Sequence, residues 1–233
     1  MIEAIKTSFY FLRIKMKPKY PLTQPFDQLP RELPIYPIEN ALLPGGELPI
    51  TIDGPDEISL FLHALRTDQM IGMIQPDKSS PNGIFSVGCA GRIRQYRERK
   101  DGRINVMLTG FCRYRAVEEI ASGNNFRSVV ADWSDYACDY EVARVPDEEI
   151  DLFKKKLADY FTRHQMQVDW EALNRPDIEE LVNNLVLVMN LTIEDKQQLL
   201  ESQTVQQRMV LFTKLLEGKA TPIWTGGEGA AVN

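Results

Sequence analysis

Residues 33–52 read Leu-Pro-Ile-Tyr-Pro-Ile-Glu-Asn-Ala-Leu-Leu-Pro-Gly-Gly-Glu-Leu-Pro-Ile-Thr-Ile, and they determine the architecture of the chain. Two apolar runs in this stretch, at 33–38 and 48–52, are typical of β-strands. The loop between them contains Pro44, which fixes one backbone dihedral, and two glycines, which accept left-handed conformations. The stretch therefore predicts two strands joined by a tight proline–glycine loop.

Three prolines, Pro34, Pro37 and Pro49, lie within or beside these runs. A proline has no backbone N–H, so it cannot donate to the hydrogen-bond ladder of a central strand. We therefore predict that both strands occupy edge or bulged positions of their sheet.

One helix is predicted among the strands, beginning at Gly54-Pro55-Asp56-Glu57. Proline is favoured in the first turn of a helix, and acidic side chains there interact favourably with the helix dipole. Apolar residues then recur at helical spacing. The predicted inward stripe consists of Ile58, Phe61, Leu62 and Leu65.

Further strands are predicted around an Asp101-Gly102 turn, a pair that tolerates positive φ in a hairpin. Gly88 and Gly91 on the ingoing arm indicate a bulge or a sharp bend. About six or seven strands at this spacing favour a barrel or a sandwich. The strands after the helix are predicted at 70–75, 84–99, 103–109, 111–120 and 126–133.

The chain becomes helical after Pro146, where Pro146-Asp147-Glu148-Glu149 predicts the start of a helix. A second start is predicted at Pro176-Asp177, and Gly218 is typical of a helix end. About three or four helices with short links favour a compact antiparallel bundle. Capping boxes, in which a threonine precedes an acid or glutamine by three residues, are predicted at Thr192–Asp195 and Thr204–Gln207.

Three further motifs follow the opening stretch in the order found in the N-terminal domain of Lon-type ATP-dependent proteases. They are Ile-Gly-Met-Ile-Gln at 71–75, Val-Gly-Cys-Ala-Gly-Arg-Ile at 87–93, and the strand at 105–115 that ends in Gly-Phe-Cys-Arg-Tyr-Arg. The opening stretch resembles the first strands of that domain, and the resemblance covers residues 31–217. It implies an α+β fold, in which a mainly antiparallel, PUA-like pseudo-β-barrel precedes a C-terminal α-helical bundle.

Four regions are expected along the chain. They are a loose N-terminal arm at 1–30, a β-rich PUA-like lobe with one helix at 31–142, a helical bundle at 143–218 and a disordered tail at 219–233. We call the second region the barrel lobe and the third the helical lobe. Met16 is an alternative start, because the short apolar run before it lacks the pattern of a secretion signal.

The resemblance implies substrate binding without catalysis. A full Lon protease also has an ATPase module with a GxxxxGK[ST] phosphate loop and a Ser–Lys proteolytic dyad, and neither is expected here. The nearest sequence, Gly218-Lys219-Ala220-Thr221, has alanine at the position of the metal-binding hydroxyl. We therefore predict a stand-alone, non-catalytic polypeptide-binding protein, not an enzyme, that uses no cofactor.

The expected partners are unfolded or flexible polypeptide segments, with a protease or chaperone as a further partner. Such segments would bind in the groove between the lobes or at the proline–glycine loop, through apolar contacts and edge-strand addition. Flexible methionines and leucines suit a surface that accepts many sequences, although core packing explains the same residues. The candidate binding residues are Leu42, Leu43, Pro44, Met70 and Met73.

A basic hairpin at 92–103 supports an alternative, a PUA-like module that binds RNA. The Lon N-terminal domain is similar in fold to PUA-type barrels, some of which bind RNA. In that interpretation arginines contact phosphates and a tyrosine stacks on a base. The net charge of −6 makes nucleic acid the less favoured partner. The candidate residues are Arg92, Arg94, Tyr96, Arg97, Arg99 and Arg103.

The two histidines and three cysteines offer a second, remote alternative, a small hydrolase with a cysteine nucleophile. Nothing in the sequence pairs a histidine with a cysteine, and an odd number of cysteines without a CxxC pair argues against a disulfide frame or a zinc site. We predict buried, reduced cysteines, no metal site and a cytoplasmic protein. No apolar run reaches the roughly 20 residues that cross a membrane.

Overall fold

Six β-strands make up the barrel lobe in the computed structural model, which describes residues 23–218 except 122 and 124. They are β1 (Glu32–Pro37), β2 (Glu47–Ile52), β3 (Met70–Pro76), β4 (Ile84–Glu98), β5 (Ile104–Ile120) and β6 (Ser128–Asp132). The order across the sheet is β2-β5-β4-β3-β1-β6, and an additional β5–β6 pairing closes the barrel. Only the β1–β3 pair is parallel among these strands. Strand β2 pairs with β5 alone and is an edge strand, as Pro49 predicts.

Pro34 and Pro37 lie in β1, which is a central strand, so the edge prediction is wrong for it. The strand changes partner halfway, since residues 32–34 pair with β6 and residues 35–37 pair with β3. The N–H of Ile35 donates to the carbonyl oxygen just before β6 at 2.9 Å. Successive N–H groups of a strand point to opposite edges. The missing N–H of Pro34 would point toward β3, but β1 pairs with β3 only from residue 35 onward. The missing N–H of Pro37 would point toward β6, but β1 pairs with β6 only up to residue 34.

Strand β5 is continuous over 17 residues, whereas the sequence predicted two strands with a break at Gly110. Its first part, residues 104–109, pairs with β2, and its last part, residues 115–120, pairs with β6. Gly110 is the point at which the proline–glycine loop crosses the strand. A Cβ atom at this position would overlap the carbonyl oxygen of Leu43, so the glycine permits close approach and does not end the strand.

Six α-helices accompany the barrel. They are α1 (Pro55–Arg66), α2 (Asp147–Arg163), α3 (Trp170–Asn174), α4 (Ile178–Val188), α5 (Ile193–Glu201) and α6 (Val205–Gly218). A 3-10 helix, Ser134–Tyr140, precedes the link to α2. The helical lobe thus contains the five helices α2 to α6, more than the predicted three or four.

The predicted capping contacts are confirmed at the starts of α5 and α6. Thr192 Oγ1 accepts a hydrogen bond from the backbone N–H of Asp195 at 3.1 Å, and Thr204 Oγ1 accepts one from Gln207 at 3.1 Å. In α1 the predicted stripe is wrong at Leu62, which is 39% exposed, because the buried face is centred on Leu60, Phe61 and Ala64.

Buried apolar side chains of both lobes form one continuous cluster, so the helices complete the core of the barrel. Residues 23–30 also contact the barrel, because Trp133 Nε1 donates to Pro30 O at 2.9 Å and Tyr140 Oη donates to Gln24 O at 2.9 Å. The predicted loose arm therefore does not extend to residue 30, while its first 22 residues, Met16 and the predicted tail at 219–233 lie outside the described residues. In the part of the chain that the structure describes, no helix has the length and apolar character needed to span a membrane.

Candidate functional site

The five residues predicted to contact polypeptide are core residues in the structure. Leu42, Leu43, Met70 and Met73 are each 2% exposed or less, and Pro44 is buried. Pro44 O accepts a hydrogen bond from Asn183 Nδ2 of α4 at 2.5 Å. The proline–glycine loop is thus a joint between the lobes, and its burial favours a packing role over contact with a ligand.

The basic hairpin is exposed, but most of its arginines have acidic partners. Arg94 forms an ion pair with Glu47, while Arg99 and Arg103 approach Asp101 at 3.4 and 2.6 Å. These two carboxylates offset part of the positive charge that the hairpin could present to a phosphate backbone.

Tyr96 and Arg97 lie on opposite faces of β4. Tyr96 pairs across the strands with the buried Val106 and contacts the ring of Phe61 edge-on at 5.2 Å. Arg97 pairs with Asn105, which is exposed on the other face. An RNA strand could not stack on this tyrosine and contact this arginine on one surface, so the structure disfavours the RNA interpretation of the hairpin.

A cavity of about 730 Å³ lies between the lobes, where Glu141 and the link at 142–145 pass the first turns of α4 and α6. We call it the inter-lobe cleft. Its lining comes from the end of the barrel lobe, from the link and from the helical lobe. The lining residues are Arg113, Cys138, Asp139, Glu141, Val142, Ala143, Arg144, Val145, Glu179, Gln203, Thr204, Val205, Gln206 and Arg208.

Arg113 of β5 and Asp139 form a buried ion pair at the floor of the cleft, with side-chain exposures of 1% and 4%. Arg113 Nη2 donates to Asp139 Oδ1 at 2.7 Å, and Nε donates to Oδ2 at 3.0 Å. Arg113 Nη1 donates to the carbonyl oxygens of Leu200 and Ser202 at 3.0 and 2.6 Å. Burial opposes the charge of Arg113, but the hydrogen bonds and charge of Asp139 raise its pKa above the usual value.

Arg208 of α6 is the second buried guanidinium at this floor. Its Nε donates to Leu199 O at 3.0 Å, and its Nη1 donates to Asn183 Oδ1 at 2.8 Å. Burial, aided by the charge of Arg113, lowers the pKa of Arg208 to about 10, so it remains a cation at neutral pH. The two arginines fix the α5–α6 connection to β5 and give the cleft a rigid floor.

Apolar side chains line the rim of the cleft. Val142 is 71% exposed, Ala143 and Val145 are half-buried, and Val205 opens α6 on the other side. The sequence predicted a groove between the lobes but did not identify these residues. Val145 beside Pro146, in the Val-Ala-Arg-Val run, was the available signal.

Two cysteines are buried as predicted, but Cys138 is exposed, so the prediction is wrong for that residue. Burial raises the pKa of all three thiols, which disfavours the thiolate that a nucleophile requires. Within the described residues no hydrogen bond joins a thiol to either histidine; His63 packs on Phe126 and His164 on Tyr160. The geometry gives no support to a cysteine hydrolase.

We expect a single thiol of the folded protein to react with Ellman's reagent at neutral pH. Cys138 is accessible, although its raised pKa should make it slower than a free thiol, whereas Cys89 and Cys112 are buried. The measurement counts the thiols released before and after denaturation in guanidinium chloride. A Cys138→Ser variant is the control and should show no fast reaction. Two reactive thiols in this folded variant would contradict the assigned burial.

A family model for the substrate-binding domain of ATP-dependent protease La (LON) matches residues 32–218. The chain belongs to this family. Lon protease 2 of Thermus thermophilus is 27% identical over 206 residues, which cover 84% of this chain and 25% of the relative. Lon protease 2 of Myxococcus xanthus is 25% identical over 205 residues, which cover 83% and 24%. The chain therefore spans about a quarter of the length of these curated relatives.

Solved structures of the Lon family share the fold. The N-terminal domain of the Lon protease from the Mycobacterium avium complex superposes with a TM-score of 0.62 at 19% identity, covering 81% of this chain and 99% of that domain. A Lon N-terminal domain protein from Xanthomonas campestris gives a TM-score of 0.56 at 18% identity and covers 78% and 97%. The predicted α+β architecture and the Lon resemblance are both confirmed.

Proposed function

We propose that this Lon substrate-binding domain recognises unfolded polypeptide segments in the inter-lobe cleft and performs no chemistry on them. The observation that carries the proposal is the cleft itself, which combines an open volume of about 730 Å³ with an apolar rim that includes the exposed Val142. Clefts of about 300–1,000 Å³ accommodate ligands the size of a few amino-acid residues. A flexible segment can enter such a cleft, whereas the surface of a folded protein cannot.

The floor of the cleft supports broad rather than specific recognition. The guanidinium of Arg113 is engaged by Asp139 and by backbone carbonyls, and that of Arg208 by Leu199 O and Asn183. Donors that are already paired do not require a particular anion or polar group from the ligand. Affinity would then come mainly from apolar contact with the rim, which depends weakly on sequence.

The non-catalytic character of this domain is also part of the proposal. It is supported by the raised thiol pKa values and by the absence of a GxxxxGK[ST] motif from the sequence. A protease or chaperone that receives the bound segment stays a prediction from the resemblance.

The test is a fluorescence anisotropy titration with fluorescein-labelled, reduced and carboxymethylated α-lactalbumin. We expect saturable binding, and we expect Val142→Asp to weaken it about tenfold, because a charge replaces an apolar contact worth about 1.5 kcal/mol. Val188→Asp is the matched control, since Val188 is also 71% exposed but does not line the cleft. Absence of saturable binding, or an equal loss in both variants, would overturn the proposal. A labelled RNA of similar length, titrated at two salt concentrations, tests the competing partner.

A further inference from the structure

The link at 142–145 has a backbone without hydrogen-bond partners. Among the described residues, 23–218 without 122 and 124, no N–H or C=O of these four residues takes part in a hydrogen bond. The nearest backbone bonds lie on either side: Glu141 N donates to Cys138 O at 3.0 Å, and Pro146 O accepts from Glu149 N at 3.0 Å. Backbone groups in a folded protein are otherwise almost always paired, so this stretch offers donors and acceptors to solvent or to a ligand.

The link is extended at both of its ends. Glu141 before it has φ −97° and ψ 151°, and Pro146 after it has φ −58° and ψ 139°. A residue that precedes proline is itself restricted to extended conformations. Side-chain exposure alternates along the link, with Val142 and Arg144 exposed and Ala143 and Val145 half-buried. This alternation is the period of a β-strand.

The link also lines the inter-lobe cleft with all four of its residues. An unpaired strand beside an open volume resembles the exposed sheet edges at which other proteins add a peptide strand. The unpaired backbone of the link determines the chemistry of its ligand. The ligand must present alternating N–H and C=O groups at strand spacing, as an extended polypeptide does. Val142 and Val145 point to opposite faces of such a strand pair, and each offers an apolar contact to ligand side chains on its own face.

We propose that polypeptide binds to this chain by β-strand addition along residues 142–145. The inference rests on the proposed function and narrows it to extended segments with free backbone N–H groups, such as runs rich in β-branched residues and free of proline. Helical segments and proline-rich segments are excluded, because neither presents a continuous row of backbone donors.

The proposal predicts a dependence on strand phase, which proline substitutions can reveal. Successive N–H groups of a strand point to opposite edges, so Ala143→Pro and Arg144→Pro each remove a donor from a different edge. Only one edge can receive the ligand strand. We expect one of the two variants to bind the labelled α-lactalbumin at least about tenfold more weakly, and the other to change by less than about twofold. Arg144→Ala is the control for loss of the charge.

A second measurement uses the unmodified chain and does not depend on the folding of a variant. An eight-residue peptide of alternating threonine and valine is titrated beside the same peptide with every backbone nitrogen methylated. Methylation removes the donors and keeps the side chains, so we expect at least a tenfold loss of affinity. Equal affinity for both peptides, or an equal effect of the two proline variants, overturns strand addition. Either result leaves the proposed function intact if the unmodified chain still binds α-lactalbumin and Val142→Asp still weakens that binding. Failure of the unmodified chain to bind α-lactalbumin overturns both the proposed function and strand addition.

Discussion

Replacing Arg113 with methionine is expected to lower the free energy of unfolding by about 3–5 kcal/mol. The substitution leaves the Asp139 carboxylate buried without its cation, since the two side chains are only 1% and 4% exposed. It also removes the donor from the carbonyl oxygens of Leu200 and Ser202. Urea denaturation followed by circular dichroism measures the change, with the m-value reporting whether the unfolding transition remains comparable.

The matched control for Arg113 is Arg115→Met on the same strand. Arg115 pairs with Asp135 at 3.1 Å, but both side chains are about half exposed, and we expect a loss of less than about 1 kcal/mol. Adding Asp139→Leu to Arg113→Met should restore only part of the stability, because the carbonyls of the α5–α6 connection still lack a donor. Equal effects of Arg113→Met and Arg115→Met would show that the buried pair has no special role.

Gly110→Ala is expected to lower the free energy of unfolding by about 2–3 kcal/mol. The added Cβ atom would overlap the carbonyl oxygen of Leu43, and backbone atoms cannot move aside as a flexible side chain can. The same contact is held by two hydrogen bonds, from Gly45 N to Gly110 O at 2.8 Å and from Gly110 N to Gly46 O at 2.9 Å. Relief of the overlap therefore breaks the joint between the proline–glycine loop and β5.

Gly123→Ala serves as the control for Gly110→Ala. A Cβ atom at Gly123 would have no neighbour within 4 Å, so we expect a change within about 0.5 kcal/mol. Both variants are compared by thermal and urea unfolding. A Gly110→Ala protein as stable as the Gly123→Ala protein would mean that the loop does not approach the strand as closely as the structure shows.

Features set by neighbouring residues were predictable from the sequence. The threonine caps of α5 and α6 depend on residues three apart, and both hydrogen bonds are present. Gly102 has φ +84° in the predicted hairpin turn, and Gly45 has φ +79° in the proline–glycine loop. In each case the local chemistry of a few residues is sufficient, because no distant partner is needed to satisfy it.

Features set by distant partners were not predictable. Gly110 has the pattern of a strand break until Leu43 is known to cross it. Leu42 has the pattern of a loop residue until it is known to pack against Gly91 and Gly110. Arg113 was noticed only as part of a family motif, since its partner Asp139 lies 26 residues away and its carbonyl partners lie further along the chain. The burial of the predicted binding residues was not predictable for the same reason: the sequence shows that a side chain is apolar but not what covers it.

The groove between the lobes was one of the two binding places predicted from the sequence, beside the proline–glycine loop. The inter-lobe cleft lies in that groove, and binding of polypeptide there stays a proposal. The residues that form its rim, such as Val142 and Val205, belong to different lobes and meet only in the folded chain. The hairpin arginines were prominent in sequence because they lie close together along the chain, yet three of the five have an acidic partner in Glu47 or Asp101.

The contacts of Arg113 constrain how the protein is made in the cell. Its carbonyl acceptors lie 87, 89 and 90 residues downstream, at Leu200, Ser202 and Gln203. Ribosomes add about 5–20 residues per second, so β5 emerges about 5–20 s before these acceptors exist. The hydrogen bonds from Arg113 to these carbonyls therefore form only after residue 203 has been synthesised. A chain that ends before residue 203 has an incomplete cleft floor, because Arg113 then lacks its carbonyl acceptors.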